Sequence, residues 1–268
     1  MKKKKAAVTV CCACVGLAVL IVAWLMLCGY LWTWGPFSKM ANIRFSKLEG
    51  NSEKYSVESV RKIDDSPLEG MNILYLGSSV TYGASSLQTA FPEYIAARNG
   101  TTFLKEAVSG TTLVDNGSSS YVSRLKKTDK NLKFDLFVCQ LSTNDATQNK
   151  PLGEVAGKDA QNYDTSTVCG AIEYIIGYVR DTWNCPVVFY TSAYYENENY
   201  AAMVVALKQI QAEYGVGVID MYTDEAFNDI TEEQRSLYMA DAIHPTKAGY
   251  LEWWTPKMEE YLYGFVRK

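Results

Sequence analysis

From Met71 onward the chain alternates between short apolar runs and longer segments of helical periodicity, and this alternation constrains the fold more than any other feature. The apolar runs predict five strands: Ile73–Leu76, Thr102–Val108, Phe134–Leu141, Pro186–Tyr190 and Val216–Met221. The other segments predict helices: Phe91–Arg98, Tyr121–Lys127, Thr167–Trp183, Tyr200–Tyr214 and Thr246–Val266. Strands that alternate with helices form a parallel sheet with helices on both faces. We therefore predict an α/β fold, a three-layer α/β/α sandwich around a five-stranded parallel sheet, over residues 71–268.

The N-terminal region predicts one transmembrane helix. No charged residue and no histidine occurs between Ala6 and Ser38, and about 20 apolar residues suffice to cross a bilayer. Basic flanks such as Lys2–Lys5 stay in the cytoplasm. Aromatic residues favour membrane interfaces, and Tyr30, Trp32 and Trp34 fall where the belt at the outer interface belongs. We predict that residues 1–35 are a cytoplasmic lysine tail and a single-pass signal anchor in the cell membrane, with the catalytic domain outside.

Two rival interpretations of this region are weaker. A cleaved signal peptide has a shorter apolar core and an A-x-A-like site after it, which this sequence lacks. A lipoprotein cysteine at Cys28 would normally follow a small residue, whereas Leu27 precedes it.

Residues 36–70 have the mixed composition of a stalk or linker, and they end in the turn-rich stretch 64–70. Val57, Val60 and Ile63 have a loosely helical spacing, which leaves open whether part of the stalk packs on the domain.

Charge and cysteine content exclude several classes of function. Without Lys2–Lys5 the chain carries 22 basic and 30 acidic residues, so it lacks the basic face that a nucleic-acid partner requires. Three cysteines lie beyond the N-terminal segment, an odd number that argues against a full disulfide framework: Cys139, Cys169 and Cys185. With a single histidine and no phosphate-binding glycine loop, we expect no metal and no cofactor. The oligomeric state stays open.

The first predicted strand runs into Gly77-Ser78-Ser79, which places a serine at the carboxyl edge of the sheet. This edge is where ligands of parallel sheets bind. The alternative is an ordinary strand-to-helix turn in which serines act as caps.

The only histidine favours the first interpretation. His244 follows Asp241 by three residues, so one carboxylate can reach the imidazole across a single turn. The ordinary pKa of histidine, about 6.5, suits a general base at neutral pH. Ser79, His244 and Asp241 therefore supply a nucleophile, a base and an orienting group. Pro245 suits the first position of the following helix, which would place His244 at its start.

The loops after the second and third strands supply donors for an anion. Gly110 offers an unobstructed backbone N–H and Asn144 a side-chain amide. Together with the Ser79 N–H, they would form a three-donor oxyanion hole. Taken singly, Gly110 also fits a turn glycine and Asn144 a helix cap.

These residues resemble the SGNH (GDSL-type) hydrolase superfamily. Gly77-Ser78-Ser79-Val80-Thr81 resembles its G-D-S-x-[ST] block, Ser109-Gly110 its second block, Ser142–Asp145 its G-x-N-D block, and Asp241–His244 its final D-x-x-H block. The resemblance covers nearly all of residues 71–268 and implies a flavodoxin-like fold, a Ser79 nucleophile, and Gly110 and Asn144 as oxyanion donors. Two residues depart from the pattern. Ser78 stands in place of Asp and raises the question of which serine attacks, and Ser142 stands in place of Gly and puts the loop geometry in question.

The reaction class that follows is hydrolysis of an acyl ester through an acyl-serine intermediate. A domain held outside the membrane meets carbohydrates and lipids, so our first hypothesis is an O-acetyl esterase of cell-envelope or environmental carbohydrates. A lipid or lysophospholipid esterase is the second, and a non-catalytic glycan-binding module on a hydrolase fold is the third. We expect six aromatic residues to crowd the site edge: Tyr82, Tyr194, Tyr195, Tyr238, Trp253 and Trp254. Exposed rings there would suit sugar stacking, although the two tryptophans also fit a helix core.

Overall fold

The computed structural model describes the backbone of residues 2–32 and 35–267, and the side chains of residues 12–31 and 35–267. The chain divides into two compact units, Met1–Leu48 and Glu49–Lys268.

The first unit contains the predicted apolar helix. Helix α1 is Lys2–Trp32, and its segment Cys12–Leu31 is long and apolar enough to cross a membrane. Large apolar side chains of this segment face outward, with Leu17 60% and Leu20 68% exposed, which is the reverse of a core helix in a soluble protein. A short helix α2, Ala41–Phe45, follows, and both of its end residues are buried. Of the predicted aromatic belt, Trp34 and the side chain of Trp32 lie outside the described residues.

The second unit contains a five-stranded sheet in which all described pairs are parallel, as predicted. The strands are β1 Asn72–Gly77, β2 Thr102–Ala107, β3 Leu136–Gln140, β4 Val187–Tyr190 and β5 Gly217–Ile219. Their order across the sheet is β2-β1-β3-β4-β5, the flavodoxin-like arrangement. Its carboxyl edge therefore brings the loops after β1, β2 and β3 side by side.

Helices cover both faces of this sheet. The longer ones are α4 Phe91–Asn99, α5 Tyr121–Lys127, α7 Val168–Trp183, α8 Glu198–Tyr214, α10 Glu232–Tyr238 and α11 Thr255–Val266. Three shorter ones are α3 Ser79–Tyr82, α6 Thr143–Thr147 and α9 Glu225–Asn228. Alternate strand residues enter two separate cores: Leu74 and Phe137 pack in one, while Ile73 and Val138 pack in the other. This alternation produces the three-layer sandwich.

The segment predicted as a stalk is divided between the two units. From Glu49 onward it packs on the sheet domain: Leu68 is fully buried, and Tyr94 donates a hydrogen bond of 2.6 Å to the carbonyl of Tyr55. The Asn51 side chain donates to the Ser85 carbonyl at 2.8 Å. The compact unit therefore begins before residue 71, because these contacts join residues far apart in sequence.

The helix predicted over Thr246–Val266 is present from residue 247 to residue 266, but it is not a uniform α-helix. A wide π-helical turn, Gly249–Trp254, precedes α11, and Pro256 lies in the first turn of α11. Proline has no N–H to donate, and its ring clashes with the carbonyl four residues earlier. The π-helical turn includes Glu252, the residue four positions before this proline.

Candidate active site

The turn after β1 places Ser79 at the carboxyl edge of the sheet. β1 ends at Gly77, Ser78 has φ −114° and ψ −140°, and Ser79 is the first residue of α3. A Cβ atom on Gly77 would lie 1.7 Å from Thr81 Oγ1, so glycine is required for this close approach. Ser79 thus lies where ligands of parallel sheets bind.

Gln140, the last residue of β3, stabilises this turn through side-chain hydrogen bonds. Its Oε1 atom accepts hydrogen bonds from Ser78 N and from Thr81 Oγ1, both at 2.9 Å. Ser78 is fully buried, and its hydroxyl also donates to Gln140 Oε1 at 3.3 Å. Of the two adjacent serines, the geometry therefore favours Ser79 as the reactive one. The predictions assigned no role to Gln140, because a contact 62 residues distant leaves no local signal in the sequence.

His244 joins Ser79 to Asp241. Its Nε2 atom lies 2.8 Å from Ser79 Oγ, and its Nδ1 atom lies 2.8 and 2.9 Å from the two carboxylate oxygens of Asp241. Asp241 Oδ1 also accepts the backbone N–H groups of Ile243 and His244, each at 2.8 Å. Asp241 is partly exposed, and partial desolvation of its carboxylate opposes ionisation, but the hydrogen bonds and charge of His244, with the two backbone N–H groups, outweigh this and lower the pKa of Asp241 to about 2.

Pro245 does not begin a helix, contrary to the prediction. It forms an isolated antiparallel bridge with Met239, and Ala240 N donates to the carbonyl of His244 at 2.9 Å. The capping residue is Thr246 instead, because its hydroxyl accepts the N–H of Gly249 at 3.3 Å. A small hairpin-like loop therefore holds His244, and the helix starts after it.

The two predicted oxyanion donors lie on neighbouring loops. Asn144 is in α6, and its Nδ2 atom donates to the carbonyl of Thr111 at 3.0 Å. An amide nitrogen carries two hydrogens, so this bond uses only one of them. Gly110 has φ +79°, a left-handed conformation that favours glycine, and nothing lies within 4 Å of the position a Cβ would occupy.

Ser142 fits its loop without strain. Its φ is −72°, in the extended region, so the glycine that the family pattern has here is not required by backbone geometry. Its hydroxyl caps α6 by accepting the N–H of Asn144 at 3.2 Å, and it donates to the carbonyl of Thr111 at 3.3 Å. Serine at this position therefore adds a hydrogen-bonded link between the loop that carries Gly110 and the start of α6, which carries Asn144.

Asp145 is a second residue to which the predictions gave no role, although it ends the run that includes Asn144. It is fully buried, and its carboxylate accepts the backbone N–H groups of Leu113 and Val114 at 2.8 and 3.0 Å. Burial raises the pKa of Asp145, although these hydrogen bonds oppose the shift. Asp145 thus clamps the loop that follows Gly110 onto the start of α6.

The predicted aromatic rim is largely wrong. Tyr195, Tyr238, Trp253 and Trp254 are buried in the cores, and Tyr82 is half-buried. Tyr194 is exposed, at 51%. The buried rings pack on one another, as Trp253 does on Phe227 at 4.6 Å between ring centroids, so their contribution is to the core.

The three cysteines of the second unit are buried and free. Burial raises the pKa of the Cys139 thiol well above its usual value, and raises those of Cys169 and Cys185 to about 11, which keeps them protonated. Among the described side chains, those of residues 12–31 and 35–267, no group of three or more His, Cys, Asp or Glu is arranged to hold a metal ion.

A serine hydroxyl bonded to an imidazole, which is bonded in turn to a carboxylate, can transfer its proton to the ring as it attacks an electrophile. Neighbouring N–H donors can stabilise the negative charge that such an attack creates. The arrangement is therefore chemically suited to acyl transfer.

Comparison with known proteins agrees with this chemistry. The model of the GDSL-like lipase/acylhydrolase family matches residues 75–251, about two thirds of the chain, and includes Ser79, Asp241 and His244. No curated protein matches the sequence.

Several solved structures share the fold. A Lactobacillus plantarum protein has a TM-score of 0.61 at 19% identity and covers 74% of this chain and 97% of its own. A structure described as a GDSL-like lipase from Bacteroides ovatus has a TM-score of 0.53 at 17% identity. That match covers 74% of this chain and 99% of the other. An acetyl xylan esterase has a TM-score of 0.50 at 14% identity and covers 71% and 98%.

These identities are low, so the solved structures support the fold, while the family match supports the class of reaction. The chain belongs to the GDSL-like lipase/acylhydrolase family of SGNH hydrolases and is a carboxylic ester hydrolase.

Proposed function

We propose that this chain is a membrane-anchored serine esterase that hydrolyses O-acetyl esters of carbohydrates through an acyl-serine intermediate. The observation that carries the proposal is the continuous hydrogen-bonded series from Ser79 Oγ through the ring of His244 to the carboxylate of Asp241. Ser79 is the nucleophile, His244 the general base and Asp241 the group that orients the ring.

In the first step the Ser79 oxygen attacks the carbonyl carbon of the ester, and its proton moves to His244 Nε2. Asp241 accepts the hydrogen bond from Nδ1–H, which fixes the tautomer with a free Nε2 and stabilises the imidazolium that forms. The low pKa of Asp241 keeps this carboxylate ionised throughout the neutral range.

The carbonyl oxygen becomes an oxyanion as the tetrahedral intermediate forms. The backbone N–H groups of Ser79 and Gly110 and the Asn144 amide are its proposed donors. The left-handed backbone of Gly110 and the anchored amide of Asn144 support this role, because donors that are held in place need no reorganisation during the reaction.

The intermediate collapses when His244 Nε2 returns its proton to the leaving alkoxide, which departs as an alcohol and leaves an acyl group on Ser79. A water molecule then attacks this acyl-serine, and His244 accepts a proton from the water and returns it to Ser79 Oγ. The products are a carboxylic acid and free enzyme.

Two features support a carbohydrate ester as substrate. Exposed residues on the segments just beyond β2, β3 and β4 are mainly polar, with one exposed aromatic ring and one exposed aliphatic side chain: Val108, Ser109, Gly110, Thr147, Gln148, Asn149, Tyr194 and Glu196. Polar groups bind sugar hydroxyls, and an aromatic ring stacks on a sugar face. The fold also supports this chemistry in a structural neighbour, the acetyl xylan esterase. The apolar helix Cys12–Leu31 favours a second candidate, a lipid esterase, because it would hold the enzyme beside lipid.

The purified full chain in detergent distinguishes these functions through kcat/KM on p-nitrophenyl acetate and p-nitrophenyl octanoate. An O-acetyl esterase prefers the acetyl ester and releases acetate from acetylated polysaccharide. Preference for octanoate supports the lipid esterase, and no turnover of either ester supports a non-catalytic binding module.

We further propose that α1 is a signal anchor with Lys2–Lys5 in the cytoplasm and the catalytic residues, within 71–268, outside. Four lysines precede the apolar segment of the helix, whereas residues 35–48 after it carry three basic residues, Lys39, Arg44 and Lys47, and no acidic residue. The numbers of basic residues on the two sides are nearly equal, so the orientation depends on Lys2–Lys5. Protease added to intact cells should release an active fragment, and protection of that fragment until lysis would reverse the orientation. Replacing Lys2–Lys5 by glutamine should invert the chain.

A further inference from the structure

Arg124 is a buried cation at the sheet edge that carries the site. It lies in α5 and is only 7% exposed. None of the ion pairs among the described residues includes it. A buried charge is costly unless hydrogen bonds satisfy it, so the partners of Arg124 indicate its role.

Those partners are the ends of two strands and the loop that carries Gly110. Nη2 donates to the carbonyl of Gly77 at 2.8 Å and to Thr111 Oγ1 at 3.2 Å. Nη1 donates to the carbonyl of Glu106, and Nε to the carbonyl of Ser119 at 3.0 Å. The rigid fork of a guanidinium can hold several acceptors at fixed spacing, which a lysine cannot.

Two of these contacts lead directly to the reacting groups. Gly77 is two residues before Ser79 and begins the turn that presents its hydroxyl. Thr111 follows Gly110, and its carbonyl accepts both the Asn144 amide at 3.0 Å and the Ser142 hydroxyl at 3.3 Å. Arg124 therefore links the nucleophile turn to both loops that carry the proposed oxyanion donors.

We propose that Arg124 is a positioning residue for the reaction, which through Gly77 and Thr111 holds Ser79, Gly110 and Asn144 at their reactive spacing. The proposal rests on the oxyanion hole described under the proposed function. A purely structural role would instead satisfy buried carbonyls and leave the chemical step unaffected.

Kinetics of the full chain on p-nitrophenyl acetate test this directly. Arg124→Met should lower kcat by about 10²-fold, as loss of an aligned oxyanion donor does, with KM within about threefold of the wild-type value. Arg124→Lys keeps the positive charge but replaces the planar guanidinium, with its several fixed donors, by a single ammonium group, so kcat should fall by about tenfold. The matched control is Arg98→Met, because Arg98 pairs with the buried Glu259 on α11. It should lower the melting temperature and leave kcat near the wild-type value.

A double-mutant cycle with Asn144→Ala separates positioning from general stability. If Arg124 acts in part by holding the Asn144 amide, Arg124→Met should lower kcat by only about tenfold further in the Asn144→Ala background, because its hold on Ser79 and Gly110 remains while the part coupled to Asn144 is already lost. A full additional loss of about 10²-fold there would overturn the proposal.

The remaining outcomes also decide between the two proposals. A folded Arg124→Met variant with wild-type kcat, beside an impaired Asn144→Ala, overturns the role of Arg124 alone. Wild-type kcat in Asn144→Ala overturns the oxyanion hole and with it the proposed coupling. Should Arg124→Met not fold, Arg124→Lys and Thr111→Val carry the test, and wild-type kcat in both overturns the proposal. Thr111→Val removes the hydroxyl that accepts from Arg124, so kcat should fall by about tenfold at unchanged KM.

Discussion

The candidate site consists of two unlike parts. The first is the sheet-edge part, formed by Ser79, Gly110 and Asn144, and its loops are tied to the sheet by long-range contacts from Gln140 and Arg124. The second is the C-terminal loop, formed by Asp241–His244. It is open to solvent, with the side chains of Asp241 and His244 52% and 25% exposed.

The difference lies in what holds each part. Hydrogen bonds within the seven residues 239–245 shape the C-terminal loop, from the bridge between Met239 and Pro245 to the backbone N–H groups whose hydrogen bonds Asp241 accepts. The sheet-edge part depends on residues that are distant in the chain. Substitutions in the C-terminal loop should therefore change activity with little effect on stability, whereas substitutions around the sheet edge should change both.

The largest effect is expected at His244. His244→Ala removes the base from the C-terminal loop and should lower kcat by about 10⁴-fold or more, since the members of such a triad act as a unit. Because the side chain is partly exposed and its backbone bonds remain, the melting temperature should change by only a few degrees. A large drop in melting temperature would contradict the separation of the two parts.

Asn144→Ala should lower kcat by about 10²–10³-fold with little change in KM, because one oxyanion donor acts mainly on the transition state. It should also lower the melting temperature, since the amide holds the carbonyl of Thr111. Steady-state kinetics and thermal unfolding of the same preparation measure both effects. Unchanged kcat in a folded variant would remove Asn144 from the site.

Asp145→Asn tests whether contacts around the sheet-edge part contribute to the stability of the fold. A neutral amide has one acceptor atom and would place an N–H group against the backbone N–H groups of Leu113 and Val114. We expect a loss of about 1–3 kcal/mol in the free energy of unfolding. That loss corresponds to roughly 2–12 °C in melting temperature for a domain of this size. An unchanged melting temperature would show that Asp145 does not clamp this loop.

The smallest effect concerns the pH dependence of stability at Asp241. Its folded pKa, about 2, lies below the value of about 3.9 in an unfolded chain. Ionised Asp241 therefore stabilises the fold above about pH 4, and this contribution is lost as pH falls through 2. The difference in melting temperature between wild type and Asp241→Asn should be a few degrees at pH 6 and should narrow toward pH 2. A difference that widens toward acid pH would contradict the assigned shift.

The elements that the sequence predicted best are those whose signals are local. Helix α5 lies at the predicted residues, Tyr121–Lys127, because Ser120 caps it and its apolar residues have helical spacing. The four strands other than β2 were found because buried parallel strands are continuous apolar runs, whereas β2 is a partly exposed edge strand that includes Lys105 and Glu106. The Asp241–His244 pairing was also predictable, since it depends on three residues of separation.

Long-range contacts explain what the sequence did not reveal. The contacts of Gln140, Asp145 and Arg124 with the site loops join residues at least 13 positions apart, as Arg124 with Thr111, so no spacing pattern marks them. The short helices α3 and α6 have four and five residues, too few for a periodic signal. Burial of the aromatic residues near the site was likewise set by packing between distant helices.

Labelling with a fluorophosphonate tests the central claim most directly, namely that Ser79 is the nucleophile activated by His244. Wild type and Ser78→Ala should each bind one probe per chain, at Ser79, whereas Ser79→Ala should not react and His244→Ala should react far more slowly. Mass spectrometry of the labelled peptide identifies the modified serine. Labelling that persists in Ser79→Ala and disappears in Ser78→Ala would contradict the account.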